Sequence, residues 1–302
     1  MKNKDQTFLS KIKKISWFNL LVFVLLALYF IALASLLFYG FYASLKSKFE
    51  FTMDPISIPK FPGVWSNYLD VIKAFSIKVG AKRTDPTWYV EDMFLFSCLY
   101  TIGCALATTL ATTLMAYACS QFRCKLSSVI YGFVLFSIAF TVVGSAPSMM
   151  QMARTLHLYD NFPGNWFMKF SFLNIYFLVL YEAFRGVAKD YREAAQIDGA
   201  SEFRIMVSIM FRMVANIVGS IFVVQFISLW NDYSSPLLYL PSYPTLSYGI
   251  VYFSNYNNTQ SGTANEPFKL AASIICVIPL FIFFILFNKK LMGNITAGGV
   301  KG

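Results

Sequence analysis

The sequence predicts an all-α membrane protein with six transmembrane helices. Three observations carry that expectation. The 302 residues are 57% hydrophobic, 18% aromatic and only 13% charged, whereas soluble domains carry about 25% charged residues. One soluble core could not hide so much apolar surface, so the expected solvent is lipid. Apolar runs long enough to cross a bilayer also recur along the chain. In the short connections Lys and Arg gather on alternate sides, as the positive-inside bias requires; the long connection 44–92 also carries positive charges, nearly balanced by acids, but the bias is judged mainly on short loops. The net charge of +10 is read as that bias. No basic run interleaved with exposed aromatics points to nucleic acid.

Taken in order, the elements are as follows. Lys2, Lys4, Lys11, Lys13 and Lys14 precede an apolar run over 18–43. That run is too long for the apolar part of a signal peptide, so it is expected to be a retained first span with the N-terminus in the cytoplasm. Residues 44–92 form a long extracytoplasmic loop with Pro55, Pro59, Pro62 and Gly63. The second span, 93–118, carries Ser97, Thr101, Gly103, Ala105, Thr108, Thr109 and Thr112. Such a small-residue face lets helices approach closely, which predicts a central position. Gln121, Arg123 and Lys125 make a short inside loop. The third span, 127–150, contains Gly144 and Pro147, and the proline predicts a kink. Residues 156–164 are turn-rich and outside. The fourth span, 166–184, leads into a basic stretch, 185–212, which the bias places inside. The fifth span covers 213–229. The outer loop 230–267 lacks Lys and Arg altogether. The sixth span covers 268–287, and Lys289-Lys290 open an inside tail. The domain organisation is therefore 1–92 as tail, first span and outer loop, 93–288 as a five-helix core with the cytoplasmic stretch, and 289–302 as a C-terminal cytoplasmic tail.

Several chemistries are missing. The five cysteines, Cys98, Cys104, Cys119, Cys124 and Cys276, form no CxxC pair and have no nearby histidine, so they are read as small apolar residues. His157 is the only histidine and sits in a loop. Spans one, two, three and five have no Asp, Glu, Lys, Arg or His inside them, which argues against a proton-driven carrier. Lys169, Glu182 and Lys269 lie near span ends. No GxxxxGK[ST] loop, catalytic triad or metal-ligand cluster occurs, so no catalytic or metal residue and no cofactor is expected on this chain. Span five does carry Asn216, Ser220, Gln225 and Ser228. Two readings stand for these. They hydrogen-bond between helices, or they line a path for a polar, uncharged solute, which Asn and Gln suit because both donate and accept.

The stretch 190–212 has a grammar of its own. Asp190 and Glu193 have capping-box spacing, which predicts a helix with Asp190 as N-cap running to Ile197. Gly199 suits the left-handed residue that ends a helix. Ser201 can cap the next one. There Phe203, Met206, Val207 and Met210 form one apolar stripe, with Arg204, Ser208 and Arg212 on another face. The expectation is an amphipathic helix–turn–helix on the inner membrane surface. Ala194 and Ala195 leave room for the backbone of another protein, and Glu193 offers a charge to it. The alternative is that Glu193 only caps its helix and the arginines face lipid headgroups.

Glu193-Ala194-Ala195, then Gly199, then Ile209 resembles the EAA motif of permease subunits of bacterial ABC importers. That motif usually closes with Leu and Pro where this chain has Phe211 and Arg212. Pro147 with Leu156-His157-Leu158-Tyr159-Asp160, the run from Phe226 to Tyr233 with Pro236-Leu237-Leu238, and the ending Gly293 to Gly302 (Gly299 standing where Ala is usual) are similar to the carbohydrate branch. Within it they resemble the shorter membrane subunit of maltose-type importers. The likeness spans 93 to the end. It implies a type I importer (MetI-like) permease fold in the bacterial cytoplasmic membrane. It further implies a second permease, two ATPase subunits holding ATP and Mg, an external solute-binding protein and a sugar substrate. Glu193, Ala194, Ala195, Asp198 and Gly199 would form the coupling helix seated in the ATPase. Trp230, Asn231 and Asp232 could touch the binding protein, touch the partner or only fold the loop. Set against this is a self-contained polar-solute channel or carrier, with 185–212 merely a membrane-surface helix.

Overall fold

The computed structural model describes residues 17–60, 63–79, 86–122, 124–140, 144–256 and 265–295. The basic N-terminal tail, Arg123 and most of the C-terminal signature lie outside these. The chain divides into two compact units, Met1–Val71 with Thr263–Ile274, and Ile72–Gly262 with Ile275–Gly302.

In the first unit, α1 (Trp17–Ser44) is apolar on every face, and only Ala43 and Ser44 are buried. A helix apolar all round belongs in lipid. The segment after it is no open loop. Short α2 (Lys48–Met53) is capped by Ser47, whose hydroxyl accepts from the Glu50 amide. Lys46 is fully buried, yet its ammonium donates to the carbonyls of Asp54 (2.8 Å) and Pro55 (3.0 Å) and to the Ser57 hydroxyl (3.2 Å). A buried cation is tolerated only when satisfied in this way. Asn67 ties the same turn by donating to the carbonyls of Ser44 and Lys46. Asn67 lies in the first turn of the next helix, α3 (Ser66–Ala74).

The second unit departs from all-α in one detail. β1 (Ser76–Lys78) and β2 (Thr87–Tyr89) pair antiparallel, with Ile77 opposite Trp88. The Trp88 indole donates to the Ser242 carbonyl at 3.0 Å. Beyond β2, α4 (Val90–Gln121) is the central helix, as its small face predicts. Ser97, Thr101, Cys104, Ala105, Thr109 and Thr112 are all buried.

The third and fourth expected spans are interrupted. The third is split into α5 (Lys125–Ala139) and α6 (Ala146–Thr155). Pro147 starts α6 instead of kinking a continuous helix, because its missing N–H and fixed φ suit a first turn; Gly144 before it takes φ +80°. At 15 residues, α5 is about 22 Å long, short of a hydrocarbon core of about 30 Å. The fourth is split into α7 (Phe162–Met168) and α8 (Ile175–Arg185). The fifth is longer than expected. A short α10 (Glu202–Ile205), one π-turn (Met206–Met210) and α11 (Phe211–Trp230) run on without a break. α9 (Asp190–Ile197) precedes them. The segment expected to be the outer loop holds α12 (Ser234–Tyr239) and α13 (Leu246–Tyr256), and α14 (Glu266–Ile295) follows. Four helices are thus long and apolar enough to cross a membrane among the described residues, at 17–44, 90–121, 202–230 and 266–286.

The turn 156–164 is locked to the segment 239–242. The Asp160 carboxylate accepts from the Ser242 amide (3.0 Å) and hydroxyl (2.6 Å), and its own amide donates to the Tyr239 carbonyl. Gly164 sits against this turn so closely that a Cβ would strike the Leu158 backbone and the Asn161 side chain. Backbone cannot step aside, so Gly164→Ala is expected to cost about 3 kcal/mol, read as a lowered Tm of the purified protein in detergent.

Candidate functional site

The helix expected to meet another protein is present and ends as its glycine predicts. Gly199 has φ +75°. The Ala200 amide donates to the Ala195 carbonyl and the Gly199 amide to the Gln196 carbonyl, both at 3.0 Å. These two bonds are a Schellman closure, which needs a left-handed residue and therefore glycine. Ser201 caps the following helix by accepting from the Arg204 amide. The expected capping box is absent. The backbone is already helical at Lys189 (φ −63°, ψ −28°), so Lys189 is the N-cap and Asp190 lies inside the first turn. From there its side chain cannot fold back over the Glu193 amide, which bonds the Lys189 carbonyl.

The two alanines of the motif face opposite ways. Ala195 is buried among Tyr117, Phe184, Ile205 and Met210 in one core cluster. Ala194 is exposed, as are Asp190, Glu193, Ile197, Asp198 and Gly199. Asp190, Glu193, Ala194 and Ile197 share one face at i, i+3, i+4 and i+7. Ile197 stands 86% exposed at its end, a knob the sequence reading passed over.

The second helix is no separate surface helix, because it continues into the fifth span. Its expected stripe is also wrong. Phe203 and Val207 are exposed, while Ile205, Met210 and Val214 are buried. The reason is the π-turn, where the Phe211 amide donates to the Met206 carbonyl. One extra residue in the turn moves the buried positions from a spacing of four to one of five between Ile205 and Met210. At the departure from the family pattern, Phe211 packs its ring 6.1 Å from Tyr117 and 5.8 Å from Phe184.

A clasp that no sequence signal announced holds α9 to the spans. The Arg192 guanidinium donates to both carboxylate oxygens of Glu202, at 3.1 and 3.2 Å. It also donates to the Gln121 carbonyl at 3.2 Å, at the end of α4, and lies 5.0 Å from the Phe122 ring. Gln196 adds a 2.7 Å bond to Glu202. The Gln121 amide in turn donates to the Phe184 carbonyl at the end of α8. One arginine therefore links α9, α10 and α4, with α8 one bond away. The only hint in the sequence is the presence of opposite charges ten residues apart, on either side of Gly199.

The four polar residues of span five do not form one lining. At 100° per residue, Gln225 lies about half a turn from Asn216 and Ser220, which the spacing alone could have told. Ser220 donates to the Asn216 carbonyl within its own helix. Gln225 and Ser228 instead line a cavity of about 300 Å³ with Thr108, Lys169, Asn174 and Asp232. Of the three outer residues, Trp230 is buried and donates to the Cys276 carbonyl at 3.2 Å. Asn231 donates to the Ile227 carbonyl. Asp232 faces the cavity, where one carboxylate oxygen accepts from the Ser234 amide and hydroxyl and the Ser235 amide. The other oxygen accepts from Tyr100 at 3.3 Å and lies 3.7 Å from the Lys169 ammonium. Burial works against the Asp232 charge, but bonds from Ser235 and Ser234 and the Lys169 ammonium outweigh it and hold its pKa below the usual carboxylate value. Lys169, expected to reach the membrane interface from a span end, turns into the break between α7 and α8.

These features define the class as a helical membrane component with several apolar spans and an exposed, clasped helix just before one of them. The particular relatives agree. Residues 167–292 match the model of the binding-protein-dependent transport system inner membrane component family. The chain is 28% identical over 228 residues to the trehalose/maltose transport system permease protein MalG of Thermococcus litoralis, covering 72% of this chain and 78% of that one. It is 27% identical over 266 residues to the probable starch degradation products transport system permease protein AmyC of Thermoanaerobacterium thermosulfurigenes, covering 85% and 88%. Its fold matches a chain in the crystal structure of a bacterial ABC transporter involved in the import of the acidic polysaccharide alginate, with a TM-score of 0.74 at 20% identity, over 90% of this chain and 95% of that one. The resemblance read from the EAA-like stretch thus holds in all three comparisons. The chain has the permease fold of ABC importers and is a multi-pass component of the inner membrane.

Proposed function

We propose that this chain is the transmembrane subunit of an ATP-driven importer carrying a sugar or oligosaccharide inward, with six spans and both termini in the cytoplasm. A second permease, two ATPase subunits carrying ATP and Mg, and an external solute-binding protein complete the machine. The observation that carries this reading is the two-sided helix α9. Its outer face, Asp190, Glu193, Ala194 and Ile197, is exposed among the described residues. Its inner side is keyed into the span core by Ala195 and Arg192. A helix gripped from outside and clasped inside transmits displacement. When the ATPases close on ATP, α9 moves, and α4, α8 and α11 move with it, because packed interfaces switch as bodies. The spans then alternate between inward-facing and outward-facing arrangements. The relatives' names support carbohydrate as the cargo.

Glu193→Lys tests this. The Glu193 side chain makes no hydrogen bond or ion pair among the described residues, so the fold should survive the change. Co-purification of the ATPase from nanodiscs is expected to fall about tenfold or more, because a reversed charge at an interface repels its partner. Full ATPase assembly and full transport in this variant would return α9 to the role of a membrane-surface helix.

A further inference from the structure

Resting on the reading that this chain moves a sugar, we infer that it contributes a sugar-contact site of its own, in the cavity at the break between α7 and α8, and that the ring held there is neutral. Discontinuous helices at membrane depth mark solute sites in transporters, since irregular backbone is tolerated there only where it lines a cavity. The break here is already satisfied without a solute. Thr108 donates to the Lys169 carbonyl at 2.9 Å and the Asn174 amide to the Ser171 carbonyl at 3.3 Å. Asn174 donates to Thr112 and caps α8 by accepting from the Tyr176 amide. The wall is thus preorganised, and its own polar groups are spent.

What remains free is a matched set of donors and acceptors. The Gln225 amide and the Ser228 hydroxyl have no hydrogen-bond partner among the described residues, and both line the cavity. Gln225 and Ser228 share one stripe of α11 at i and i+3, and Asp232 lines the same cavity from just past the helix end. The Lys169 ammonium has one bond of ordinary length, to the Ser235 hydroxyl at 3.2 Å. Its 3.7 Å approach to Asp232 leaves both the ammonium and that carboxylate oxygen able to take a hydroxyl. An amide that both donates and accepts, a hydroxyl, a cation and a carboxylate suit vicinal hydroxyls. One cation balances one anion, so a uronate would meet the Asp232 carboxylate without a net positive field to draw it in. Met168, Leu173 and Leu229 supply apolar wall for the C–H face of a ring. The volume of about 300 Å³ is at the low end for small-molecule sites, which fits one ring with any further units extending outward.

The test uses the full complex, with partner permease, ATPases and binding protein, in proteoliposomes offered radiolabelled trehalose, maltose or a diuronate. Gln225→Leu and Ser228→Val are each expected to lower uptake of the neutral sugar about tenfold, the scale of a lost hydrogen bond that leaves a sugar hydroxyl unpaired, while the complex still elutes intact on size exclusion. Wild-type uptake rates in both variants would overturn the site. Accumulation of the diuronate alone by the wild type would overturn its neutral character. A wild-type complex that accumulates none of the three would overturn the sugar-importer reading itself and leave the site without a substrate.

Discussion

Arg192→Met is expected to yield a complex that assembles and hydrolyses ATP but moves solute about tenfold more slowly per ATP. The guanidinium bonds α9 both to α10 and to the end of α4, and among the described residues only Gln196 adds a further side-chain bond from α9 to α10. Without it, α9 keeps its Schellman end and its buried Ala195, so the ATPase can still seat. What is lost is stiffness between the gripped helix and the spans. The stability cost should be modest, about 1 kcal/mol, because the pair is partly exposed and solvent screens it. A large loss of coupling beside a small loss of stability separates transmission from mere folding. The swap Arg192→Glu with Glu202→Arg should recover part of the ratio, but not all of it. The reversed pair cannot reproduce the bonds to the Gln121 carbonyl and the Phe122 face. The measurement is solute accumulated per ATP hydrolysed in proteoliposomes. An unchanged ratio in Arg192→Met would show that the clasp transmits nothing.

Gly199 should give a graded series. Its φ of +75° is open to glycine, tolerable for asparagine, strained for alanine and closed to proline. Gly199→Asn is expected to retain most transport. Gly199→Ala should lose about 1 kcal/mol at the turn, and with it part of the activity. Gly199→Pro should abolish transport, since proline fixes φ near −65° and removes the amide that bonds the Gln196 carbonyl. Nothing lies within 4 Å of a Cβ at this position, so the order reports backbone conformation and not crowding. Equal uptake across the series would mean that the shape of this turn does not matter to coupling.

How much of this was legible beforehand varies with the range of the signal. The apolar runs, the central small face of α4, the left-handed Gly199 and the capping Ser201 could all be read. Each depends on residues within a turn or two, or on a periodic pattern. The capping box at Asp190 failed because the helix began at Asp190 itself, one residue earlier than expected, with Lys189 as its N-cap. The apolar stripe from Phe203 failed because a π-turn shifts register, and no pattern of period 3.6 anticipates one extra residue. The breaks in spans three and four were hidden because hydropathy averages over a window and cannot distinguish one long helix from two short ones.

By itself, then, the sequence determined the solvent, the order of the runs, the resemblance to importer permeases and the end of α9, since composition and local backbone preference fix these. Only the tertiary structure decided which groups meet across distance. It paired Arg192 with Glu202 and the Gln121 carbonyl, and turned Lys169 inward to Asp232. It joined Gln225 and Ser228 to a cavity that Asn216 and Ser220 do not reach. The physical reason is that a charge or an amide carries no address in the sequence. Its partner is chosen by how helices pack, and here the packing is set by the small face of α4 and by the aromatic core around Tyr117.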